Sequence, residues 1–233
     1  MKLDILVLAA HPDDAELGCS GTIRAHVEMG KKVGIVDLTR GELGTRGTPE
    51  IRAQEAAIGA QVLGVETRDN LCLPDGFFQN DEKSLMEIIK VIRKYQPEIV
   101  LANAVYDRHP DHTMGGAVAT RACFLAGLRK IETGQPAWRP KNVYHYIQDR
   151  MLTPDFVFDI TPYWEKKIES IKAYKTQFFD PESKEPVTYI STPEFLKYVE
   201  ARALEFGHAI GVKYGEGFTK EKQLGVTDLF DLL

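Results

Sequence analysis

The apolar run DILVLAA at residues 4–10 leads directly into the octet HPDDAELG at 11–18. A continuous apolar run of this kind predicts a β-strand that is buried on both faces, as in a parallel sheet covered by helices. A related tetrad, HPDH, occupies 109–112, soon after the apolar run EIVLAN at 98–103. Each predicted buried strand is thus followed by a cluster of histidine and aspartate.

Strands and helices alternate along the chain. This alternation predicts βαβ units, and hence a Rossmann-like α/β fold with a mostly parallel sheet flanked by helices. We expect residues 1–233 to form a single domain. Strands are predicted at 4–10, 31–39, 67–72, 98–103, 143–147 and 156–160. Helices are predicted at 21–29, at 49–63 with Thr48 as N-cap, around Leu85–Ile92, at 117–128, and from Thr161-Pro162 and Thr192-Pro193.

The two clusters are predicted to form one site. Ligands of doubly wound sheets bind beyond the carboxyl ends of the strands, and the usual strand order 3-2-1-4-5 makes the first and fourth strands neighbours. Histidine nitrogens and carboxylate oxygens are ligands that zinc prefers, and a catalytic zinc keeps one position open for water. The candidate ligands are His11, Asp13, Asp14 and His112, with His109 as a fifth.

Other interpretations of these residues remain open at this stage. Either cluster alone would fit a polar turn in which an aspartate caps the following helix. A dinucleotide-binding domain would place G-x-G-x-x-G after the first strand, whereas Gly18 and Gly21 come too late, although Asp37 ends the second strand where a ribose-binding acid would lie. A non-catalytic metal-binding or sugar-binding module would keep the ligands without turnover.

Composition narrows the class of protein. The net charge is −5 with no basic block, which argues against nucleic acid as a partner. No apolar run approaches the ~20 residues of a membrane span, and the first apolar run is too short for a signal peptide. The cysteines Cys19, Cys72 and Cys123 are odd in number and widely spaced, which favours a reducing compartment. We therefore expect a cytoplasmic protein with neither membrane nor nucleic acid as partner.

The motifs AAHPDDAE and RHPDH resemble those of the zinc-dependent de-N-acetylases of the PIG-L/LmbE type, whose patterns are (P/A)-H-P-D-D and H-x-D-H. The resemblance extends from residue 3 to about 218. Within that family the chain is most similar to the N-acetylglucosaminyl-malate deacetylases of bacillithiol synthesis. The segments that carry this narrower similarity are GTRGTPEIRAQEA (44–56), NLCLPDG (70–76), YDRHPDH (106–112) and GVKYGEGF (211–218).

The resemblance implies roles for individual residues. His11, Asp14 and His112 would bind zinc, Asp13 would be the general base, and His109 would help to stabilise the charged intermediate. Relatives place a tyrosine over the site from the C-terminal helix. Phe195 aligns there and Tyr198 lies one turn on, so a tyrosine role is left open.

These residues suit hydrolysis of an amide. Asp13 would take a proton from water and pass it to the leaving amine, while zinc and a protonated His109 stabilise the oxyanion. Asp107 is expected either to orient His109 or to cap a turn. Arg52 and Arg108 are expected to bind an anionic part of the substrate, because the planar guanidinium matches a carboxylate.

The predicted activity is zinc-dependent removal of the N-acetyl group from an N-acetylglucosaminyl compound, with N-acetylglucosaminyl malate as first choice. Alternatives are another N-acetylglucosaminyl compound or the amide of a thiol conjugate. His and carboxylate ligands also suit iron, manganese or cobalt. The family resemblance suggests a homo-oligomer, either a trimer or a hexamer.

Overall fold

The structure, a computed structural model, describes residues 1–231 of the chain, with the side chain of residue 231 left undescribed. Within this part of the chain seven strands form one sheet: β1 (Ile5–Ala9), β2 (Val33–Asp37), β3 (Thr67–Asn70), β4 (Ile99–Ala102), β5 (Asn142–Tyr146), β6 (Phe156–Asp159) and β7 (Gly215–Lys220). The α-helices are α1 (Asp14–Glu28), α2 (Pro49–Leu63), α3 (Glu82–Tyr95), α4 (Pro110–Ala126), α5 (Trp164–Lys172) and α6 (Pro193–Ala209). A Rossmann-like α/β fold is therefore confirmed.

The sheet has the order β3-β2-β1-β4-β5-β7-β6. Strand β1 lies between β2 and β4 and is parallel to both, with Val7 opposite Ile35 on one side and Leu101 on the other. Only β7 runs antiparallel to its neighbours β5 and β6 in the described sheet. The predicted order 3-2-1-4-5 is thus confirmed, and the carboxyl ends of β1 and β4 lie side by side.

Helices cover both faces of this sheet, which explains the uninterrupted apolar sequence of β1. All five residues of β1 are buried. Leu6 and Leu8 pack on one face with side chains of α3 and α4, such as Ile88. Val7 packs on the other face with side chains of α1, such as Ile23. Alternate residues of one strand therefore belong to two separate cores.

Local sequence signals place α2 correctly. The side chain of Thr48 accepts a hydrogen bond from the backbone of Ile51, and Pro49 is the first helical residue. Gly64 ends the helix in the left-handed conformation, with φ of 74°. Thr192 likewise precedes α6, but its side chain makes no capping hydrogen bond. A short 3-10 helix at 161–163 comes between Thr161 and the start of α5.

Two predicted helix starts were wrong. Helix α1 begins at Asp14 instead of residue 21, and α4 begins at Pro110 instead of residue 117. Their first turns contain the polar motif residues, which face the site, so these turns lack the apolar periodicity that signals a helix. In α1 a break at Cys19, with φ of −147°, separates the motif turn from the rest of the helix.

Burial of the cysteines follows their positions in these elements. Cys19 and Cys123 are buried and Cys72 is exposed, and all three are free. No helix among the described residues has the length and apolarity needed to cross a membrane.

Candidate active site

The two histidine–aspartate motifs meet at the carboxyl ends of β1 and β4. Nε2 of His112 lies 3.1 Å from Oδ1 of Asp14, and Nδ1 of His11 lies 3.6 Å from Oδ2 of the same carboxylate. The ring centroids of His11 and His109 are 4.7 Å apart. Residues about a hundred positions apart in the chain therefore surround one carboxylate, as the strand order predicted.

Asp14 is held in place by groups from three parts of the chain. Its Oδ2 accepts hydrogen bonds from the backbone N–H of His11 at 2.9 Å and from the side-chain amide of Asn103 at 2.9 Å. The amide of Gln148 donates to its Oδ1. Burial by itself would raise the pKa of Asp14, but the nearby His112 and His11 hold that pKa well below its usual value. Asp14 is therefore a buried, ionised carboxylate.

Both histidines that face Asp14 contact a carboxylate through their other ring nitrogen. Nε2 of His11 lies 3.0 Å from Oδ1 of Asp75 and 3.2 Å from Oδ2 of Asp111. Nδ1 of His112 lies 2.6 Å from Oδ2 of Asp107. Metal-binding histidines typically donate their second N–H to a carboxylate, which fixes the ring and makes the free nitrogen more basic.

The prediction that Asp107 orients His109 was therefore wrong. Asp107 bonds to His112, and its other oxygen accepts the backbone N–H of Arg150 at 2.8 Å. The rings of His109 and His112 are stacked with their centroids 5.0 Å apart, but Asp107 contacts only His112, whereas Nδ1 of His109 accepts the backbone N–H of Asp111. Which of two adjacent rings a carboxylate contacts depends on side-chain direction, and the sequence pattern alone does not reveal it.

These residues fit a divalent metal ion. Potential ligand atoms of His11, His109 and His112 lie within 4.8 Å of one another, and so do those of His11, Asp75 and Asp111. Asp14 contacts both His11 and His112 on the side away from their carboxylate partners. Buried imidazole and carboxylate groups in this number suit zinc and its transition-metal neighbours.

Asp13 occupies the N-cap position of α1, but its side chain makes no capping hydrogen bond, so the interpretation of HPDD as a simple helix cap was wrong. Its φ of 123° lies where side chains are disfavoured, and such strain is typical of functional sites. Oδ2 of Asp13 accepts a hydrogen bond from Nη2 of Arg52 at 2.7 Å. Burial raises the pKa of Asp13 to about 7, although the positive charge of Arg52 opposes this rise. A carboxylate with a pKa near neutrality suits proton transfer at neutral pH.

His109 is the residue before α4, and its Nδ1 accepts the backbone N–H of Asp111 at 3.2 Å. Burial lowers the pKa of His109, and the neighbouring His11 and His112 lower it further. These two observations favour a neutral imidazole over the protonated His109 expected from the sequence. Because Nδ1 acts as an acceptor, the proton lies on Nε2, which is left as a hydrogen-bond donor.

A cavity of about 390 Å³ opens over these residues. Arg52 and Arg108 both line it, as do Asp13, His109 and Asp75. The Arg52 guanidinium is buried and also donates through Nε to the carbonyl of Pro12 at 3.0 Å. Arg108 is more exposed, and its Nε lies 3.5 Å from Oδ2 of Asp149.

The structure separates the two aromatic candidates for the place of the tyrosine. Phe195 is buried and lines the cavity, so the α6 position nearest the site carries no hydroxyl. Tyr198 does not line this cavity, and its hydroxyl donates to the backbone carbonyl of Asp149. Tyr189, which the sequence analysis did not single out, lines the cavity.

Asp37 has a structural role. Arg68 donates to both of its carboxylate oxygens, at 2.8 Å and 2.9 Å. The carboxylate of Asp37 is therefore paired with Arg68 inside the protein. It is not available to bind a ribose, as the dinucleotide-binding interpretation would require.

Sequence reasoning missed Asp75, Asn103, Asp111 and Gln148 as parts of the site. Asn103 directly follows β4 and Gln148 lies two residues beyond β5, so polar residues at strand ends were an available signal. Asp111 lies inside the HPDH motif itself. Asp75 lies in a loop before α3, within the segment NLCLPDG that carries the family resemblance, and that segment was the available signal.

Comparison with known proteins identifies relatives over most of the chain. The profile of the PIG-L family, described as GlcNAc-PI de-N-acetylase, matches residues 6–123. The diacetylchitobiose deacetylase of Thermococcus kodakarensis is 29% identical over 229 residues, covering 91% of this chain and 81% of that protein. The 1D-myo-inositol 2-acetamido-2-deoxy-alpha-D-glucopyranoside deacetylase of Thermobispora bispora is 31% identical over 64% of this chain and 60% of its own length.

One relative carries the name of a different reaction. The 4-oxalmesaconate hydratase of Pseudomonas putida is 27% identical over 74% of this chain and 73% of that protein. Similarity of sequence at this level therefore does not by itself fix the reaction.

Solved structures share the whole fold. The conserved protein TT1542 from Thermus thermophilus matches with a TM-score of 0.88 and 34% identity, covering 97% of this chain and 98% of that one. The N,N'-diacetylchitobiose deacetylase from Pyrococcus horikoshii, solved with its inhibitor MPG, matches with a TM-score of 0.80 and 26% identity, covering 98% of this chain and 88% of that one.

Proposed function

The chain belongs to the PIG-L family, described as GlcNAc-PI de-N-acetylases, and from this we propose that it removes the N-acetyl group of an N-acetylglucosaminyl substrate by hydrolysis of the amide C–N bond. Relatives named for deacetylation of diacetylchitobiose and of an acetamido-glucopyranoside support an N-acetylglucosamine-type substrate. The observation that carries the proposal is the position of Asp14 between His11 and His112, with Asp13 alongside.

We assign the metal ligands as His11, Asp14 and His112. The carboxylates behind the two histidines, Asp75 with Asp111 and Asp107, support this set because they fix the ring orientations. A bound divalent ion would polarise the amide carbonyl and activate water for attack. Zinc is the first choice, and iron, manganese and cobalt suit the same ligands.

Asp13 and His109 are the proposed catalytic residues. Asp13 accepts a proton from the attacking water while the water oxygen forms a bond to the acetyl carbon. Asp13 later delivers that proton to the leaving nitrogen as the C–N bond breaks. Water and amide are thereby converted into acetate and amine. Nε2–H of the neutral His109 donates a hydrogen bond to the oxygen that becomes negatively charged. Arg52 holds Asp13 on the side of Oδ2, which leaves Oδ1 for the proton.

The proposed substrate is N-acetylglucosaminyl malate, with Arg52 and Arg108 as the substrate-binding residues. Both line the cavity, and malate carries two carboxylates that need fixed positive charge. Arg52 would act there in addition to its contact with Asp13. Another N-acetylglucosaminyl compound, or the amide of a thiol conjugate, is the alternative that the same site would accept.

Acetate release tests this proposal directly. The metal-loaded protein is incubated with N-acetylglucosamine, diacetylchitobiose and N-acetylglucosaminyl malate, before and after treatment with a chelator. We expect acetate from at least one compound, loss of release with chelator, and recovery when zinc is returned. Release of no acetate while one metal ion stays bound would instead support the non-catalytic binding module.

The assembly is a further part of the proposal. We propose that the chain forms one domain and that this domain assembles as a homo-oligomer, either a trimer or a hexamer. The proposed binding partner is a small-molecule substrate. Sedimentation equilibrium at several protein concentrations measures the mass of the assembly and separates these states from a monomer.

A further inference from the structure

A second cleft, here called the outer cleft, adjoins the active-site cavity. Its volume is about 430 Å³. It shares Arg108, Asp149 and Tyr189 with the cavity, so the two spaces adjoin each other at these side chains. The residues that line the outer cleft are Tyr106, Arg108, Asp149, Arg150, Met151, Tyr189 and Tyr198.

Two arginines in the outer cleft lie against tyrosine rings. The guanidinium carbon of Arg108 is 4.2 Å from the centroid of the Tyr189 ring, and that of Arg150 is 5.4 Å from the centroid of the Tyr106 ring. A cation–π contact of this kind favours one position of the guanidinium while leaving N–H groups free to bind an anion. The cleft thus presents two oriented cations next to the site.

The charge of these arginines is only partly neutralised. Asp149 is the acidic residue of the outer cleft, and its Oδ2 lies 3.5 Å from Nε of Arg108. Among the described side chains, Arg150 makes no ion pair with any carboxylate. One positive charge at the rim of the cleft therefore has no partner within the described part of the protein.

The loop that carries Arg150 is fixed to the active site. The backbone N–H of Arg150 donates to Oδ1 of Asp107 at 2.8 Å, and Oδ2 of Asp107 contacts His112. The hydroxyl of Tyr198 donates to the carbonyl of Asp149. The backbone of Arg150 is thus held one side chain away from a proposed metal ligand.

Part of the cavity lining is bonded to the segment between α5 and α6. Arg46 lines the cavity, and its Nη2 donates to the hydroxyl of Ser183. The backbone N–H of Gly47 donates to Oε2 of Glu185 at 2.8 Å. The outer cleft adjoins the cavity and offers space for a substituent on the sugar ring. In an N-acetylglucosaminyl compound the anomeric carbon neighbours the carbon that carries the acetamido group, so its substituent begins close to the reacting amide.

We propose that the outer cleft binds a negatively charged group on the anomeric carbon of the substrate, and that Arg150 contacts this group together with Arg108. The inference rests on the proposed function and adds to it a binding place and a specificity-determining residue. The shared chemistry is an anion, either a carboxylate or a phosphate, because an arginine edge matches both.

Four α-glycosides of N-acetylglucosamine test the inference: the malate, the 1-phosphate, the methyl and the myo-inositol compounds. The variants are Arg150→Gln, Arg150→Lys and, as a matched control, Arg129→Gln at an exposed position away from both cavities. kcat/KM for acetate release is measured for each pair, and the thermal midpoint of each variant is compared with that of the wild type.

We expect Arg150→Gln to lower the ratio of kcat/KM for an anionic compound to that for the inositol compound by about tenfold, the scale of one charge-assisted contact. Arg150→Lys should retain part of the ratio, and Arg129→Gln all of it. A lower ratio for the malate compound alone would show that the outer cleft binds a carboxylate. A lower ratio for both the malate and the 1-phosphate compounds would show that it binds either anion. The wild-type preference should also weaken as salt is raised.

An unchanged ratio in Arg150→Gln, or an equal loss for all four compounds, would overturn the inference. The inference would also be overturned if Arg150→Gln changed the oligomeric state of the protein and left the kcat/KM ratio unchanged. If the wild type releases acetate from none of the four compounds, the proposed function fails. In that case, calorimetry measures the binding of the same compounds to the wild type and to Arg150→Gln. Weaker binding of the anionic compounds to Arg150→Gln would support the outer cleft as an anion site, and equal binding would contradict it.

Discussion

Arg52 donates from Nη2 to Oδ2 of Asp13 at 2.7 Å, so the first turns of α2 hold the residue that precedes α1. Both side chains are nearly inaccessible to solvent. A buried carboxylate that is paired on one oxygen keeps its other oxygen in a fixed direction, which suits the general-base role proposed for Asp13.

The adjacent aspartates are expected to respond differently to removal of their charge. Asp13→Asn should keep the metal and lower kcat by about 10²–10⁴-fold, because the base is lost while the ligands remain. Asp14→Asn should lose metal, since this carboxylate lies between His11 and His112. Metal content by atomic emission and acetate release measure the two effects. Loss of metal in Asp13→Asn at normal stability would exchange the two assignments.

His109→Ala should lower kcat by about 10²–10³-fold, the effect expected for one donor to an oxyanion. Metal content should stay unchanged, because the proposed ligands are other residues. His208→Ala, at an exposed position, serves as the matched control. A near-normal kcat in His109→Ala would mean that His109 has only a structural role, through its hydrogen bond with the backbone of Asp111.

Asp107→Asn tests the corrected partner of this aspartate. Because Asp107 contacts Nδ1 of His112, the substitution should weaken metal affinity by about 10–100-fold. Titration with a competing chelator measures the affinity, and Glu132→Gln provides an exposed carboxyl-to-amide control. Unchanged affinity with a lower kcat would mean that Asp107 acts through another group.

Lys167→Met should lower the free energy of unfolding by about 3–5 kcal/mol, the scale for breaking a buried ion pair. Nζ of Lys167 donates to Oε1 of Glu216 at 2.7 Å, and both side chains are almost fully buried. The neighbouring Lys166→Met is the control, because Lys166 is paired at the surface, where such contacts contribute little. Urea unfolding measures both, and equal losses would contradict the prediction.

Only one thiol of the native protein should react with a thiol reagent at pH 8. Burial raises the pKa of Cys123 to about 12 and that of Cys19 well above its usual value. Below those pKa values the thiols stay protonated, and the thiolate is the reactive form. Cys72 is exposed and should account for the reaction, so Cys72→Ser should give none. The unfolded chain should show all 3 thiols.

The sequence by itself determined the framework of the site. Continuous burial on both faces gives β1 its uninterrupted apolar sequence, and that pattern, repeated after helices, is enough to predict a parallel sheet. The strand order then makes the ends of β1 and β4 neighbours, so the meeting of His11 with His112 follows from topology. Motif residues that serve chemistry are visible because they interrupt the apolar pattern.

Only the tertiary structure decided which partners these residues have. Asp75 reaches His11 from a loop, Gln148 reaches Asp14 from beyond β5, and Asp107 contacts His112 instead of His109. A hydrogen bond depends on distances of a fraction of an ångström and on the direction of the side chain. Those distances and directions are set by how whole helices and strands pack together, and the spacing of residues along the chain does not determine them.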